Sequence, residues 1–189
     1  MNVTRGTGLL AAMLVFLVDQ LSKLYVVTTL GVDHALVKAN LAERLFAENY
    51  SRELVSFFDL RFVPNVGVSL GLMSASNEFM RWALVVLTAA IAGGVAWWMW
   101  RERKLPDVAA LGLVLGGAFG NILDRIRFGY VVDFADLHFG TWRPFLVFNV
   151  ADAAITIGVA ILLIRALFVR EKPQAATPGP DPVEKNVNA

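Results

Sequence analysis

Apolar residues run along this chain in four long stretches, each close to the ~20 residues that an α-helix needs to cross a bilayer core. The first, "LLAAMLVFLVDQLSKLYVVTTL" (Leu9 to Leu30), holds Asp19 and Lys23 inside it. The second, Trp82 to Trp100, has no charge. The third, Val108 to Leu123, is closed by Asp124 and Arg125, and the fourth, Ala151 to Val169, has Asp152 near its start. The pattern predicts spans at about 9–30, 82–100, 107–125 and 150–169. The first run continues past its charges and is followed by no small-x-small cleavage pattern, so it reads as a retained span.

The segments between the spans carry other periods. "HALVKANLAERLF" suits a short amphipathic helix at the membrane surface. In "FFDLRFV", Phe58, Leu60 and Phe62 share one face while Asp59 and Arg61 share the other, which predicts a strand ending at Pro64 and turning through "PNVGVSLG". From Glu171 the chain is polar and Pro-rich, so 171–189 reads as a disordered tail and 1–170 as one membrane-embedded domain.

Composition agrees with a membrane protein. The chain of 189 residues is 57% hydrophobic and 17% charged, with mean hydropathy +0.58, against roughly 25% charged residues in soluble domains. A net charge of +1 gives no reason to expect a nucleic-acid partner. The absence of cysteine excludes disulfides, thiolate metal sites and a Cys nucleophile. His34 and His138 are isolated, form no metal-ligand cluster, and read as solvent or headgroup contacts.

Charge also orients the chain. Arg101, Arg103 and Lys104 crowd the second inter-span loop, Arg165, Arg170 and Lys172 close the fourth span, and Arg5 precedes the first. The bias places these ends and both termini in the cytoplasm. Segments 31–78 and 129–148 then face outward; the first mixes Lys38, Arg44, Arg52 and Arg61 with Asp33, Glu43, Glu48, Glu53 and Asp59.

Charges at membrane depth are costly and default to a functional hypothesis. Asp19 and Lys23 are four apart, acid first, on one helical face. They suit a mutually neutralising pair that also bonds another span, or support for an active site. Ser22 points ~100° away from Lys23, so a Ser/Lys hydrolase is poorly supported. Gly112, Gly116 and Gly120 recur every fourth residue and let another helix approach. Asn121 and Arg125 then share a face, as a polar helix end or as braces for something nearby. Asn149 is a good N-cap with Asp152 at the third helical position, which accounts for both without catalysis.

"GYVVDFADLHF" (129–139) places Asp133 and Asp136 after an apolar run with no nearby Lys or Arg. They are three apart, so a strand points them to opposite faces and a helix to one. Spans three and four meet at the outer face, where a hairpin could pair Asp133 with Asp152; Asp124 and Asp136 are candidates on the same grounds. Two carboxylates in one low-dielectric site cannot both ionise easily, so one holds a proton while the other accepts one. That is the requirement for acid/base attack of water on an amide.

The blocks "VDQLSK", "PNVGVSLG", "GGAFGNILDR", "GYVVDFAD" and "FNVADAAI" occur in the order seen in lipoprotein signal peptidases, and the chain resembles that family over about residues 9 to 169. The resemblance implies a mainly α, integral membrane fold: four transmembrane helices with a small extracytoplasmic β-sheet and a short interfacial helix. It implies an aspartic peptidase of the bacterial inner membrane that cuts signal peptides from prolipoproteins bearing a diacylglyceryl-modified cysteine. The active site would lie near the extracytoplasmic face. Carried over by motif, Asp133 and Asp152 would be the catalytic pair and Asp136 a loop or interface residue. Asp19, Lys23, Asn65, Gly67, Asn121, Arg125 and Asn149 would support the pair or contact substrate. No cofactor or metal is called for, membrane lipid is the other partner, and a monomer could hold the whole site. Two departures from the family pattern are Leu70, where a Phe is expected, and the wider spacing of Pro144 and Phe148. A small proton-coupled transporter is the rival reading. It expects acids through the bilayer depth, whereas the candidate pair sits at the outer end.

Overall fold

The structure is a computed structural model and describes residues 3–39, 50–67 and 78–168. Its elements are α1 (Val3–Thr29), α2 (His34–Ala39), β1 (Ser51–Val55), β2 (Phe58–Asn65), α3 (Glu78–Arg101), α4 (Leu105–Arg127), β3 (Val131–Leu137) and α5 (Val150–Phe168). The helices α1, α3, α4 and α5 are long and apolar enough to cross a membrane. Leu14, Leu21 and Leu24 of α1, Leu87 and Ile91 of α3 and Leu163 and Ile164 of α5 are exposed, as expected of surfaces that meet lipid tails.

Small residues make α4 the centre of the bundle. In its most apolar window 61% of residues are buried, against 11% for α3. A Cβ on Gly112 or Gly116 would run into the backbone carbonyls of Gly8 or Ala12 of α1, and one on Gly117 into Ala151 of α5. Gly158 of α5 meets Ala110 in the same way. Without a hydrophobic drive between helices in lipid, such close backbone approach is the main source of packing energy. The third face of α4 takes α3 through Val85, Ala92 and Met99, a seven-residue stripe that joins Val108, Leu111, Leu115 and Ile122 in one core.

α4 starts at Leu105 with Pro106 in its first turn, where the missing N–H costs nothing. It ends where Gly129, at φ 89, adopts a conformation that side-chain-bearing residues avoid. β3 follows directly and pairs antiparallel with β2, which pairs antiparallel with β1. Between Leu60 and Val63, β2 carries one residue more than β3, and the bulge falls opposite Phe134, next to the Val63–Asp133 pair. The chain then returns to bridge Phe148 to Ala135 before α5 begins. That return delivers Asn149 to the open edge of β3.

The strand expected at 57–64 is β2, which continues past Pro64 to Asn65. β1, in "SRELV", was not anticipated: it is exposed along its length and has no apolar alternation to betray it. The surface helix is described only as α2, and residues 40–46 of its predicted extent lie outside the described residues. So do Leu70 with the end of "PNVGVSLG" and the 171–189 tail.

Candidate active site

β3 decides what the sequence left open. As a strand it sends Asp133 and Asp136 to opposite faces. Asp133, 3% exposed, turns toward the start of α5. Its Oδ1 accepts the side-chain amide of Asn149 at 2.7 Å, and its Oδ2 accepts that of Asn65 at 2.9 Å. Asn65 is itself fixed, because its Oδ1 accepts the backbone N–H of Gly67 at 2.8 Å. Gly67 has φ 81, and a Cβ there would strike Leu84, so only glycine suits this turn.

Asp152 arrives by local helix chemistry. The Asn149 side chain accepts the Asp152 N–H at 2.9 Å, and the Asp152 carboxylate accepts the Asn149 N–H at 3.3 Å. This reciprocal cap needs no catalytic purpose. Yet it holds Asp152 beside Asn149 while the Asn149 amide reaches Asp133. The amide of Asn121 completes the arrangement, donating to Asp152 Oδ1 at 2.8 Å. Burial raises the Asp133 carboxyl to about 7, reinforced by the negative charge of Asp152 and opposed by the Asn65 and Asn149 hydrogen bonds.

Beneath this pair lies a buried ionic network. Lys23 Nζ is 2.8 Å from Asp19 and 2.8 Å from Asp124, and it donates to Asn121 Oδ1 at 3.2 Å. Asp19 accepts the Ala151 N–H at 2.9 Å, Asp124 accepts the Val132 N–H at 3.1 Å, and Gln20 donates to both acids. One ammonium thus joins α1 and α4 to the backbone of β3 and α5. Asn121 Oδ1 also accepts Asn149 at 3.3 Å, which links this network to the carboxylates above. Arg125 donates to the Asn121 carbonyl at 3.5 Å and acts on Asp152, Asp133 and Asp124 through its charge.

The model of the Signal peptidase (SPase) II family matches residues 11–168. The chain belongs to that family. It is 52% identical to the lipoprotein signal peptidase of Rhizorhabdus wittichii, covering 90% of this chain and 91% of the relative. It is 48% identical to that of Sphingopyxis alaskensis, covering 87% of each. Two solved bacterial membrane enzyme structures, determined in meso at 2.3 and 1.9 Å, have TM-scores of 0.65 and 0.66 at 25% and 26% identity. They cover 90% and 86% of this chain and are each matched over 94% of their length. The membership makes this a membrane peptidase.

Several polar residues sit elsewhere than the sequence suggested. Asp136, expected in a loop or interface without a basic neighbour, is buried in β3. There Arg143 donates to both its oxygens at 3.2 Å, and Arg61 lies 3.5 Å away. Arg143 was out of view because it returns only through the turn at Phe139–Trp142. His34 is half-buried, stacks on Phe128 at 3.9 Å and lies 2.6 Å from the Tyr130 hydroxyl. His138 stands 3.3 Å from Asp59 across the sheet. Gln20 carried no sequence signal, and Asp124 stood only as one acid among several. A lysine at membrane depth with one acid on its own helix was the available hint that a second acid would face it.

Proposed function

We propose that this peptidase removes signal peptides from prolipoproteins whose cysteine carries a diacylglyceryl group, and that it does so with Asp133 and Asp152 as an aspartic dyad. Support for the substrate class comes from the family and from the names of relatives at up to 52% identity. The dyad reading rests on one observation: Asn149 touches both carboxyl groups, through its side chain for Asp133 and its backbone N–H for Asp152.

In this mechanism a water lies between the two acids. The ionised carboxylate takes a proton as the water attacks the scissile carbonyl, and the protonated one donates a hydrogen bond to the oxygen that gains charge. Collapse of the tetrahedral intermediate returns a proton to the departing nitrogen, so the dyad ends as it began with no covalent intermediate. An Asp133 carboxyl that titrates near neutrality is matched to this exchange. Asn65, Asn121 and Asn149 hold the carboxyl groups in place. Gly67 and Arg125 flank them, and Asp19 with Lys23 fixes the helices that carry them.

The site opens toward the extracytoplasmic face of the inner membrane, with both termini in the cytoplasm, and the substrate's lipid tails lie between the spans. A monomer suffices, because every one of these side chains comes from one chain. The test uses purified Asp133→Asn and Asp152→Asn, checked for folding, against a lipidated precursor and its unmodified form. Wild-type cleavage of the lipidated form alone, lost in both variants, is expected. Near-normal cleavage by either variant would sink the dyad.

A further inference from the structure

We propose that the end of the bundle opposite the sheet carries a binding site for the phosphodiester headgroup of an anionic membrane lipid, built by Arg5, Arg101 and Arg103 around Trp100. A cavity of about 700 Å³ lies there between the start of α1 and the α3–α4 turn, lined by Thr4, Arg5, Trp100, Arg101, Glu102 and Arg103. That volume is within the range of small-molecule sites, roughly 300–1,000 Å³.

Charge favours an anion. Three guanidinium groups face one carboxylate, and that carboxylate is engaged: Glu102 Oε1 accepts the backbone N–H groups of Arg103 at 2.8 Å and Lys104 at 3.0 Å. The next acid along the chain, Asp107, is held by Arg165 of α5. Glu102 keeps its charge and offsets one guanidinium, so the cavity lining retains a positive excess. The arginines are also ordered by aromatic rings, Arg5 over Trp100 at 5.1 Å and Arg101 over Trp97 at 4.4 Å. Stacking uses the guanidinium face and leaves its N–H donors in the plane, which suits bidentate contact with phosphate oxygens.

Position identifies the source of the phosphate. α1 and α3 both cross the membrane by length and composition, and the cavity sits where they end. This is the depth of the headgroup layer, where Trp and Arg concentrate. Leu9, Leu10 and Met13 of α1 and Trp97 and Trp98 of α3 are exposed below it and provide an apolar flank for acyl chains. A zwitterionic lipid presents the same phosphate with a cation beside it, so the excess positive charge selects a net negative headgroup.

The test is native mass spectrometry of the full chain in mild detergent with phosphatidylglycerol or phosphatidylcholine of matched acyl chains. The wild type is expected to retain one phosphatidylglycerol with at least about fivefold preference, on the order of one arginine's contribution at a membrane surface. R5Q/R103Q should lose the preference with helicity unchanged by circular dichroism. K38Q/R52Q, an equal two-charge change at the sheet end, should keep it. Equal retention of both lipids, an undiminished preference in R5Q/R103Q, or the same loss in K38Q/R52Q would overturn the site. Displacement of the lipid by inorganic phosphate would also overturn it, reassigning the cavity to a free anion.

Discussion

The two ends of the helix bundle treat charge in opposite ways. At the sheet end, Asp19, Lys23, Asp124, Asp133 and Asp136 are buried, and each has fixed polar partners within the protein. At the other end, Arg101 and Arg103 stay exposed, and Arg5 and Arg101 lie over indole rings. Removing an ion from water costs several kcal/mol, so buried charges persist only where partners are complete. Rim arginines keep their hydration while their stems cover apolar surface. At the sheet end burial lifts the Asp133 carboxyl to about 7, as the proposed acid/base chemistry requires. The opposite end has no such need.

The contrast breaks if mutations at the two ends cost the same. The largest effect is expected for Asp133→Asn or Asp152→Asn, which should each lower the cleavage rate of a lipidated precursor by about 10²–10⁴-fold or more with folding retained. Lys23→Met comes next. It strands Asp19 and Asp124 without their cation, and unfolding in detergent should register a loss of about 3–5 kcal/mol. Gly116→Val drives a side chain into the Ala12 carbonyl and should cost about 1–3 kcal/mol. Gly93→Ala, which meets open space, should show no such loss in the same assay.

A pH series sharpens the same comparison. Folding raises the Asp133 carboxyl from 3.8 to about 7, so the native state binds its proton more tightly than the unfolded chain does. Its contribution to stability is therefore complete below pH ~4 and is lost as pH rises toward ~7, with a slope of at most about 1.4 kcal/mol per pH unit. Asp133→Asn should remove that slope, and should raise the melting temperature relative to wild type at pH 8 but not at pH 4. The smallest effect is expected at the far end. Asp107→Asn weakens the partly exposed pair with Arg165 and should leave the unfolding transition in detergent nearly unchanged. A loss there equal to that of Lys23→Met would remove the distinction between the ends.

Much of the scaffold was legible because its causes are local. Four apolar runs of bilayer length mark the long helices. The four-residue spacing of Gly112, Gly116 and Gly120 marks the face of α4 that α1 approaches. Asn149 and Asp152 read as a cap and its third residue, and the structure shows both halves of that exchange. Asp19 and Lys23 read as a pair on one helix, which they are. β1 escaped because an exposed strand has no alternation, and the burial of Asp136 escaped because Arg143 comes back to it only through a turn.

The sequence by itself determined the four apolar helices, the small-residue stripe that lets them touch, and the short-range polar pairs, since hydropathy and helical period are properties of neighbouring residues. Only the tertiary structure decided that Lys23 has Asp124 as a second counter-ion, that a bulged β2 runs beside Asp133, and that Asn149 contacts both carboxyl groups, Asp133 through its side-chain amide and Asp152 through its backbone N–H. Those contacts depend on sheet register and on where helices cross, which are fixed by backbone packing between segments far apart in the chain.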